Sequence, residues 1–255
     1  MPVVLRGFVV AALACFGLIG SPSSWGGEVR AAVASNFAAP ARQIAVLFHQ
    51  ETGHTVELSF GSSGKFYAQI KSGAPFDVLL AADEKYAMLL EQEGLAVAGS
   101  RLTYAVGRLV LWSARRGVVD GKGEVLRSGA YRRLAIADPR LAPYGVAAQE
   151  VLEQMGLWSS VRDRLVMGEN ITQVYQFSAT GNVELAFVAL SQITRGGKMT
   201  AGSGWIVPAQ MYHPIKQSAV QLTDAKDKVA AQAFLAFLKS ASAVAIIRNF
   251  GYELP

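Results

Sequence analysis

The amino-acid sequence predicts an α/β protein of two doubly wound lobes, with mostly parallel sheets joined by a two-strand hinge. Three observations support this fold class. Strand and helix patterns alternate from residue 28 onward, a long apolar strand near residues 102–114 interrupts the alternation, and the chain closes with two helical patterns. The 255 residues, 51% of them hydrophobic, are sufficient for one or two domains with sizeable cores.

The first three strand–helix units occupy residues 28–94. The strands are EVRAAVA, HTVELSF and FDVLLAA, and the helices that follow them are AAPARQIAVLFHQETG, KFYAQIKSG and EKYAMLLEQEG. Gly53 and Gly94 follow the last periodic residues of the first and third helices, a position where glycine commonly ends a helix. Successive units of this kind form a parallel sheet with helices on its faces.

The second half begins with the long apolar strand LTYAVGRLVLWSA. Strands RRLAIADP, RLVMGEN and VELAFVAL then alternate with helices GVAAQEVLEQMG and ITQVYQFSATG. Pro208 and Pro214 exclude a helix from the extended segment GWIVPAQMYHPIKQSAVQL, and KDKVAAQAFLAFLKSASAVAIIRNFG reads as a closing helix pair.

The closing helices are expected to return to the first lobe. We therefore assign residues 28–106 and 215–255 to lobe 1 and residues 107–214 to lobe 2. The hinge would form where the chain crosses near residues 104–109 and 214–220. Two contiguous halves are the alternative.

Residues 1–27 are predicted to be a signal peptide. Arg6 precedes an apolar run from Gly7 to Gly20, and small and turn-forming residues follow. The run is shorter than the ~20 residues of a membrane-spanning helix, although an N-terminal anchor helix is an alternative. Cys15, the only cysteine, lies in this run, and whether it is lipidated stays open. The mature chain then holds no disulfide.

Composition and motifs argue against several classes of function. The net charge is +5, but no run of Lys and Arg exceeds two residues, so a nucleic-acid partner is not expected. The sequence contains no G-x-S-x-G, G-x-G-x-x-G or H-E-x-x-H motif. The chain is therefore not expected to be an enzyme. A hydrolase that uses carboxylates such as Asp83 or Asp138 is the alternative from a different class.

The segment SFGSSGKFYAQI, residues 59–70, places a Gly/Ser-rich loop between a strand and a helix. It is not a nucleotide-binding Walker loop, because Ser59 stands at the first glycine position and Phe66 replaces the hydroxyl that binds Mg²⁺. The N–H groups of the first helical turn still favour an anion. Ordinary capping of the helix by Ser62 or Ser63 is the alternative.

Three other strand-to-helix junctions repeat this arrangement. VASNFAAPARQI carries Ser35 and Asn36, ADPRLAPYGVAAQEV carries Tyr144, and MGENITQVYQ carries Asn170 before Ile171. In doubly wound sheets the carboxyl ends of the strands form the edge that binds ligands. Two loops from each lobe, facing each other across a cleft, predict a site for a small anion.

The sequence resembles the periplasmic molybdate-binding proteins of ABC importers, a branch of the type II periplasmic binding protein fold. The likeness covers the whole mature chain. It rests on VRAAVASNFAAPARQIAVLF, VELSFGSSGKFYAQIKSGAPFDVLLAADEKY, LAIADPRLAPYGVAAQEVLEQMGLW and LKSASAVAIIRNFGYELP. The resemblance implies a periplasmic monomer that captures molybdate or tungstate and delivers it to the importer's permease. It implies no cofactor beyond this ligand.

The resemblance also implies which groups hold the oxyanion. They are neutral donors on Asn36 with the adjacent Ser35, on Ser63, and the backbone N–H groups of Tyr144 and Ile171, and no side chain would bind the metal atom directly. Ser62 is a less certain member of this set.

One position departs from the family pattern. Ala189 stands where many members carry a tyrosine hydroxyl, which leaves a fifth side-chain donor open, and the phenol of Tyr144 is one candidate to replace it. A receptor for another tetrahedral oxyanion, such as sulfate, is the alternative function.

Overall fold

The structure, a computed structural model, describes residues 26–255. Residues 1–25, with Cys15 and most of the predicted signal peptide, lie outside this range. In chain order the strands are β1 (Glu28–Ala34), β2 (Thr55–Gly61), β3 (Val78–Leu80), β4 (Leu102–Gly107), β5 (Leu109–Ser113), β6 (Leu134–Ala137), β7 (Leu165–Gly168), β8 (Leu185–Ala189), β9 (Thr194–Arg195), β10 (Lys198–Met199), β11 (Ser203–Ile206) and β12 (Ile215–Gln221).

The helices are α1 (Ala38–Thr52), α2 (Ser63–Lys71), α3 (Lys85–Gln92), α4 (Glu124–Ser128), α5 (Pro143–Gln154), α6 (Trp158–Val161), α7 (Ile171–Ala179), α8 (Leu190–Ile193), α9 (Lys228–Phe237) and α10 (Ala241–Asn249). A 3₁₀ turn, Ser35–Phe37, joins β1 to α1. The sequence analysis missed the short helices α4, α6 and α8 and the two-stranded ribbon of β9 and β10, which carry little periodic signal.

Two five-stranded sheets form the framework, in the orders β2-β1-β3-β12-β4 and β11-β5-β8-β6-β7. In the first sheet β1 runs parallel to β2 and β3, and β12 runs antiparallel to β3 and β4. In the second, β6 is parallel to β7 and β8, and β5 is antiparallel to β8 and β11. The predicted α/β class is confirmed. The parallel part comprises three strands of each sheet, and the strands next to the crossings run antiparallel.

The segment LTYAVGRLVLWSA, expected as one long strand, is divided between the two sheets. β4 ends at Gly107 in the first sheet and β5 starts at Leu109 in the second. Between them, the carbonyl of Arg108 accepts a hydrogen bond from Leu190 N at 2.9 Å, and its Nη1 contacts Glu253 Oε1 at 2.5 Å. A Cβ on Gly107 would lie 2.1 Å from the Tyr144 hydroxyl, so only glycine fits this crossing.

β12 lies at the second crossing and belongs to the first sheet, between β3 and β4. This order is what a discontinuous first lobe would give. The boundaries 28–106 with 215–255, and 107–214, remain our proposal.

The first sheet is covered on both faces. Alternation in β3 sends Val78 and Leu80 into a core with α1, α9 and α10, whereas Leu79 faces α2 and α3. Fully burying side chains of this size stabilises the fold by about 1.5–3 kcal/mol each. Within residues 26–255 no single helix is long and apolar enough to cross a membrane. Only α9 and α10 together, bent by 59°, have the length and composition.

Several helices start at side-chain caps. Asn170 Oδ1 accepts from the N–H groups of Thr172 and Gln173 at the start of α7, Asp227 caps α9, and Ser240 caps α10. Such caps satisfy N–H groups that the helix itself leaves unpaired. The helices α1, α2 and α5, by contrast, begin without any side-chain cap. These three helices and α7 all begin near the cleft.

Candidate functional site

The four strand-to-helix loops meet in one narrow cavity between the sheets. Its lining residues are all uncharged, and they are Ala34, Ser35, Asn36, Gly61, Ser62, Ser63, Ala82, Ala142, Pro143, Tyr144, Asn170 and Ile171. The six residues predicted from the sequence are all among them. Their role in holding a ligand stays a prediction. The cavity volume is about 10 Å³, about the room that one water needs, so a four-oxygen anion requires the walls to move slightly apart.

Larger hollows lie elsewhere on the surface of residues 26–255. The two largest measure about 520 and 510 Å³, and the first is lined by Glu28, Arg30, Ala225, Lys226, Asp227 and Lys228, the second by residues that include Glu150, Glu153 and His213. Both contain carboxylates, which repel anions, and neither brings the starts of several helices together. The small neutral cavity is therefore the better candidate for an anion site.

The first wall is the 3₁₀ turn after β1. Asn36 is 3% exposed, and its Nδ2 donates to Gln217 Oε1 at 2.8 Å and to the Tyr252 hydroxyl at 2.9 Å. Because both amide hydrogens are committed, the backbone N–H of Asn36 is the donor left at this turn. Ser35 Oγ donates to Asn170 Oδ1 at 3.3 Å, which joins this wall to the second sheet.

The second wall is the start of α2, where neither serine caps its own helix. Ser63 Oγ accepts a hydrogen bond from Ala82 N at 2.9 Å, which leaves its own hydrogen available as a donor. Ser62 Oγ is buried and has no hydrogen-bond partner among the described residues. The alternative of ordinary N-capping is therefore wrong for both residues. An unpaired buried hydroxyl lowers the stability of a protein by about 1–3 kcal/mol. A bound ligand that hydrogen-bonds to Ser62 Oγ would remove this cost.

The third and fourth walls are the starts of α5 and α7. Pro143, the first residue of α5, has no N–H, so Tyr144 supplies the first donor of that helix. In α7, Asn170 Oδ1 accepts from Thr172 N and Gln173 N and leaves Ile171 N–H free. Within residues 26–255 neither Tyr144 N–H nor Ile171 N–H donates to a protein group. Both positions therefore offer a backbone donor.

The phenol of Tyr144 lies at the hinge. Its oxygen accepts from Gln217 Nε2 at 3.3 Å, and burial raises the pKa of Tyr144 well above its usual value. Ala189, the position of the expected tyrosine, ends β8 and is fully buried outside the cavity lining. Two residues on, Ser191 Oγ donates to the carbonyl of Asn36 at 2.8 Å. This contact supports the first wall from the second sheet.

Charged groups surround the cavity without lining it. Lys65 Nζ lies 2.6 Å from Glu169 Oε1, and both side chains are about half exposed. Burial raises the pKa of Asp83 to about 6. Asp138 is bound by Arg140 at 2.7 Å, and this hydrogen-bonded ion pair lowers the pKa of the Asp138 carboxyl. Among residues 26–255 no cluster of three or more His, Cys, Asp or Glu could hold a metal ion.

Sequence reasoning missed three buried polar residues behind the walls, Ser191, Gln217 and Tyr252. One signal was present for Gln217. It is a long polar side chain in the strand IKQSAVQ, which is buried from Gln217 to Gln221, and a polar residue in such a strand needs a buried partner. No pattern in the sequence identifies the partners.

Comparison with known proteins identifies the family of this chain. The family described as bacterial extracellular solute-binding protein matches residues 29–253. The molybdate-binding protein ModA of Azotobacter vinelandii is 54% identical over 227 residues, covering 89% of this chain and 90% of the relative. ModA of Rhodobacter capsulatus is 51% identical over 226 residues, covering 89% of this chain and 88% of that relative.

A solved structure extends the likeness to three dimensions. The periplasmic molybdate-binding protein of Azotobacter vinelandii matches with a TM-score of 0.87 and 43% identity, covering 89% of this chain and 99% of that protein. These relatives are solute-binding proteins rather than enzymes, which argues against a hydrolase based on Asp83 or Asp138. The chain belongs to the family of bacterial extracellular solute-binding proteins.

Proposed function

We propose that this protein binds molybdate, and also tungstate, between its two lobes and delivers the ion in the periplasm to the permease of an ABC importer. One observation carries the proposal. Four helix starts meet at a cavity of uncharged residues, and donors at those starts have no partner among residues 26–255. The names of the two ModA relatives support the choice of ion.

The donor set suits a fully ionised oxyanion. The donors are the Ser62 and Ser63 hydroxyls and the N–H groups of Asn36, Tyr144 and Ile171. A hydrogen bond to a charged group contributes about 1.5–3 kcal/mol. Five of them contribute about 7.5–15 kcal/mol, against the ~8 kcal/mol of a micromolar complex. In the upper part of this range the surplus offsets the ordering of the ligand and the walls. The positive ends of four helices add attraction.

The same lining gives selectivity. Among residues 26–255 the cavity lining has no carboxylate, so the O–H of a protonated phosphate would lack a charged acceptor, which disfavours that ion. Sulfate is fully ionised and offers the same four oxygens. Cavity size, set by how closely the walls approach, is then what separates molybdate from the smaller sulfate.

Isothermal titration calorimetry of the purified protein tests this function. We expect one molybdate or tungstate per chain with micromolar or tighter affinity, and sulfate and phosphate at least a hundredfold weaker. Sulfate binding without molybdate binding would instead make the protein a sulfate-type receptor. Absence of heat with all four anions would refute an oxyanion site.

Delivery has its own test. In proteoliposomes that contain the importer's permease and ATPase subunits, the molybdate-loaded protein should stimulate ATP hydrolysis, and light scattering should give the mass of a monomer. We expect no retention on DNA or RNA, because no run of Lys and Arg in the sequence exceeds two residues. Stimulation that does not depend on molybdate would argue against cargo delivery.

A further inference from the structure

A buried polar network lies behind the binding cavity, at the hinge. It consists of Asn36, Tyr104, Tyr144, Ser191, Gln217 and Tyr252, all of them 7% exposed or less. Its members come from the loop after β1, from β4, α5, α8 and β12, and from the segment after α10. The proposed ligand contacts use only the backbone N–H groups of two of these residues. The side chains of the network therefore need another explanation.

Gln217, at the second crossing, contacts the first wall, the start of α5 and β4 at the first crossing. Its Oε1 accepts from Asn36 Nδ2 at 2.8 Å and from the Tyr104 hydroxyl at 3.2 Å. Its Nε2 donates to the Tyr144 hydroxyl at 3.3 Å. Gln217 itself lies on β12, where the pairing with β4 shifts register between Gln217 and Ser218.

The contacts of Gln217 fall into two groups. Asn36, Tyr104 and Gln217 all belong to the first sheet or to its loops, so a rigid rotation about the hinge leaves their mutual distances unchanged. Tyr144 starts α5, which packs on β6 of the second sheet. The Gln217–Tyr144 hydrogen bond is therefore the contact of this amide that forms when the lobes close.

The orientation of the amide is fixed by its neighbours. Because two donors face Oε1, Nε2 must point at Tyr144, whose phenol oxygen accepts the bond. Burial raises the pKa values of Tyr104 and Tyr144 well above their usual range and that of Tyr252 to about 12. All three phenols are therefore neutral donors at neutral pH.

We propose that Gln217 is a positioning residue that couples closure of the lobes to the alignment of the ligand donors at Asn36 and Tyr144. The proposal rests on the function proposed above. Through Asn36 Nδ2, Gln217 fixes the first wall, and through the Tyr144 hydroxyl it fixes the start of α5. When the second lobe closes, the Gln217–Tyr144 hydrogen bond therefore links the first wall to the start of α5.

A double-mutant cycle tests the coupling. Gln217→Met removes the hydrogen-bond acceptor and the donor of the amide and leaves a side chain of similar volume. Tyr144→Phe removes the phenol oxygen but keeps the backbone N–H. We expect Gln217→Met to weaken molybdate binding at least tenfold in calorimetry and Tyr144→Phe about threefold or more. In the Gln217→Met background, Tyr144→Phe should have no further effect. Gln221→Met, on the same strand but bonded to Lys228 O, is the matched control and should bind within twofold of wild type.

A distance measurement provides a readout that a purely structural role would not change. Spin labels at Met88→Cys and Met167→Cys report the separation of the lobes. Both residues are exposed; Met88 lies in α3, which packs on the first sheet, and Met167 lies in β7 of the second sheet. Molybdate should shorten this distance fully in the wild type and in Gln221→Met, and only partly in Gln217→Met and in Tyr144→Phe. If Gln217→Met does not fold, Tyr144→Phe alone still decides the question through binding and distance.

Additive effects on affinity, or full closure with unchanged affinity in Tyr144→Phe and Gln217→Met, would overturn the proposal. An additive loss would identify the Tyr144 phenol as a direct ligand donor. The wild-type titration separates this failure from failure of the proposed function. If the wild type binds sulfate instead of molybdate, the same cycle with sulfate decides the role of Gln217 while the molybdate assignment fails.

Discussion

Ser63 gives the sharpest test of the binding site. It is 1% exposed, and its Oγ accepts from Ala82 N at 2.9 Å while its own hydrogen remains available. Ser63→Ala therefore removes two interactions with separate consequences. One is the proposed bond to the anion, and the other is the partner of a buried backbone N–H.

The two losses have different magnitudes and different readouts. A bond to a charged acceptor contributes about 1.5–3 kcal/mol, which corresponds to roughly a tenfold to hundredfold loss of molybdate affinity. An unpaired Ala82 N–H costs about 1–3 kcal/mol of the free energy of unfolding. Calorimetry measures the first, and urea unfolding without ligand measures the second.

Ser178→Ala is the matched control. Ser178 is also 1% exposed, and its hydroxyl lies in α7, outside the cavity lining and without a hydrogen-bond partner among the described residues. This variant should bind molybdate like the wild type and should not lose stability. Wild-type affinity in Ser63→Ala, together with the expected loss of stability, would show that the hydroxyl supports Ala82 and does not contact the ligand.

Three further predictions follow from other contacts. Burial raises the pKa of Asp83 in the folded protein from its ordinary value of 3.8 to about 6, so the free energy of unfolding should fall as pH rises from about 4 to about 6. Asp83→Asn should remove this fall and stabilise the protein at pH 7.5 by up to about 3 kcal/mol, as measured by urea unfolding at both pH values; an equal effect at pH 3.5 would contradict it. Lys65→Ala breaks the half-exposed pair with Glu169 and should speed molybdate release in stopped flow by less than about fivefold, with no difference in 1 M salt. Gly107→Ala places a methyl group 2.1 Å from the Tyr144 hydroxyl and should weaken molybdate binding more than tenfold in calorimetry; unchanged affinity would show that this crossing has room to adjust.

The general layout of the site could be predicted from the sequence because it depends on local patterns. Alternating strands and helices put the loops of Ser35, Ser63, Tyr144 and Ile171 at the carboxyl ends of strands, and the fold brings such ends together. All four residues line the cavity. The helical and strand periodicity of the sequence was sufficient to place these four loops at the same edge of the fold.

The supporting contacts could not be predicted, for two physical reasons. Whether Ser62 caps its own helix depends on its side-chain rotamer, which the sequence does not encode. Hydrogen bonds between distant parts of the chain join the buried residues Asn36, Tyr144, Gln217 and Tyr252. No periodicity in the sequence relates such positions. The division of the apolar strand at Arg108 likewise depends on contacts with Leu190 and Glu253.

The position of β12 in the first sheet has a consequence for the order of assembly during synthesis. The strands of the second sheet are contiguous in the chain, from Leu109 to Ile206, whereas the first sheet cannot be completed until Ile215–Gln221 has been made. Domains generally fold as units and in the order in which they are synthesised. The first sheet, whose first strand is made earliest, is therefore completed after the second sheet. Gln217 and Tyr252 arrive in this final portion, and a growing chain therefore cannot trap an anion before its synthesis is almost finished.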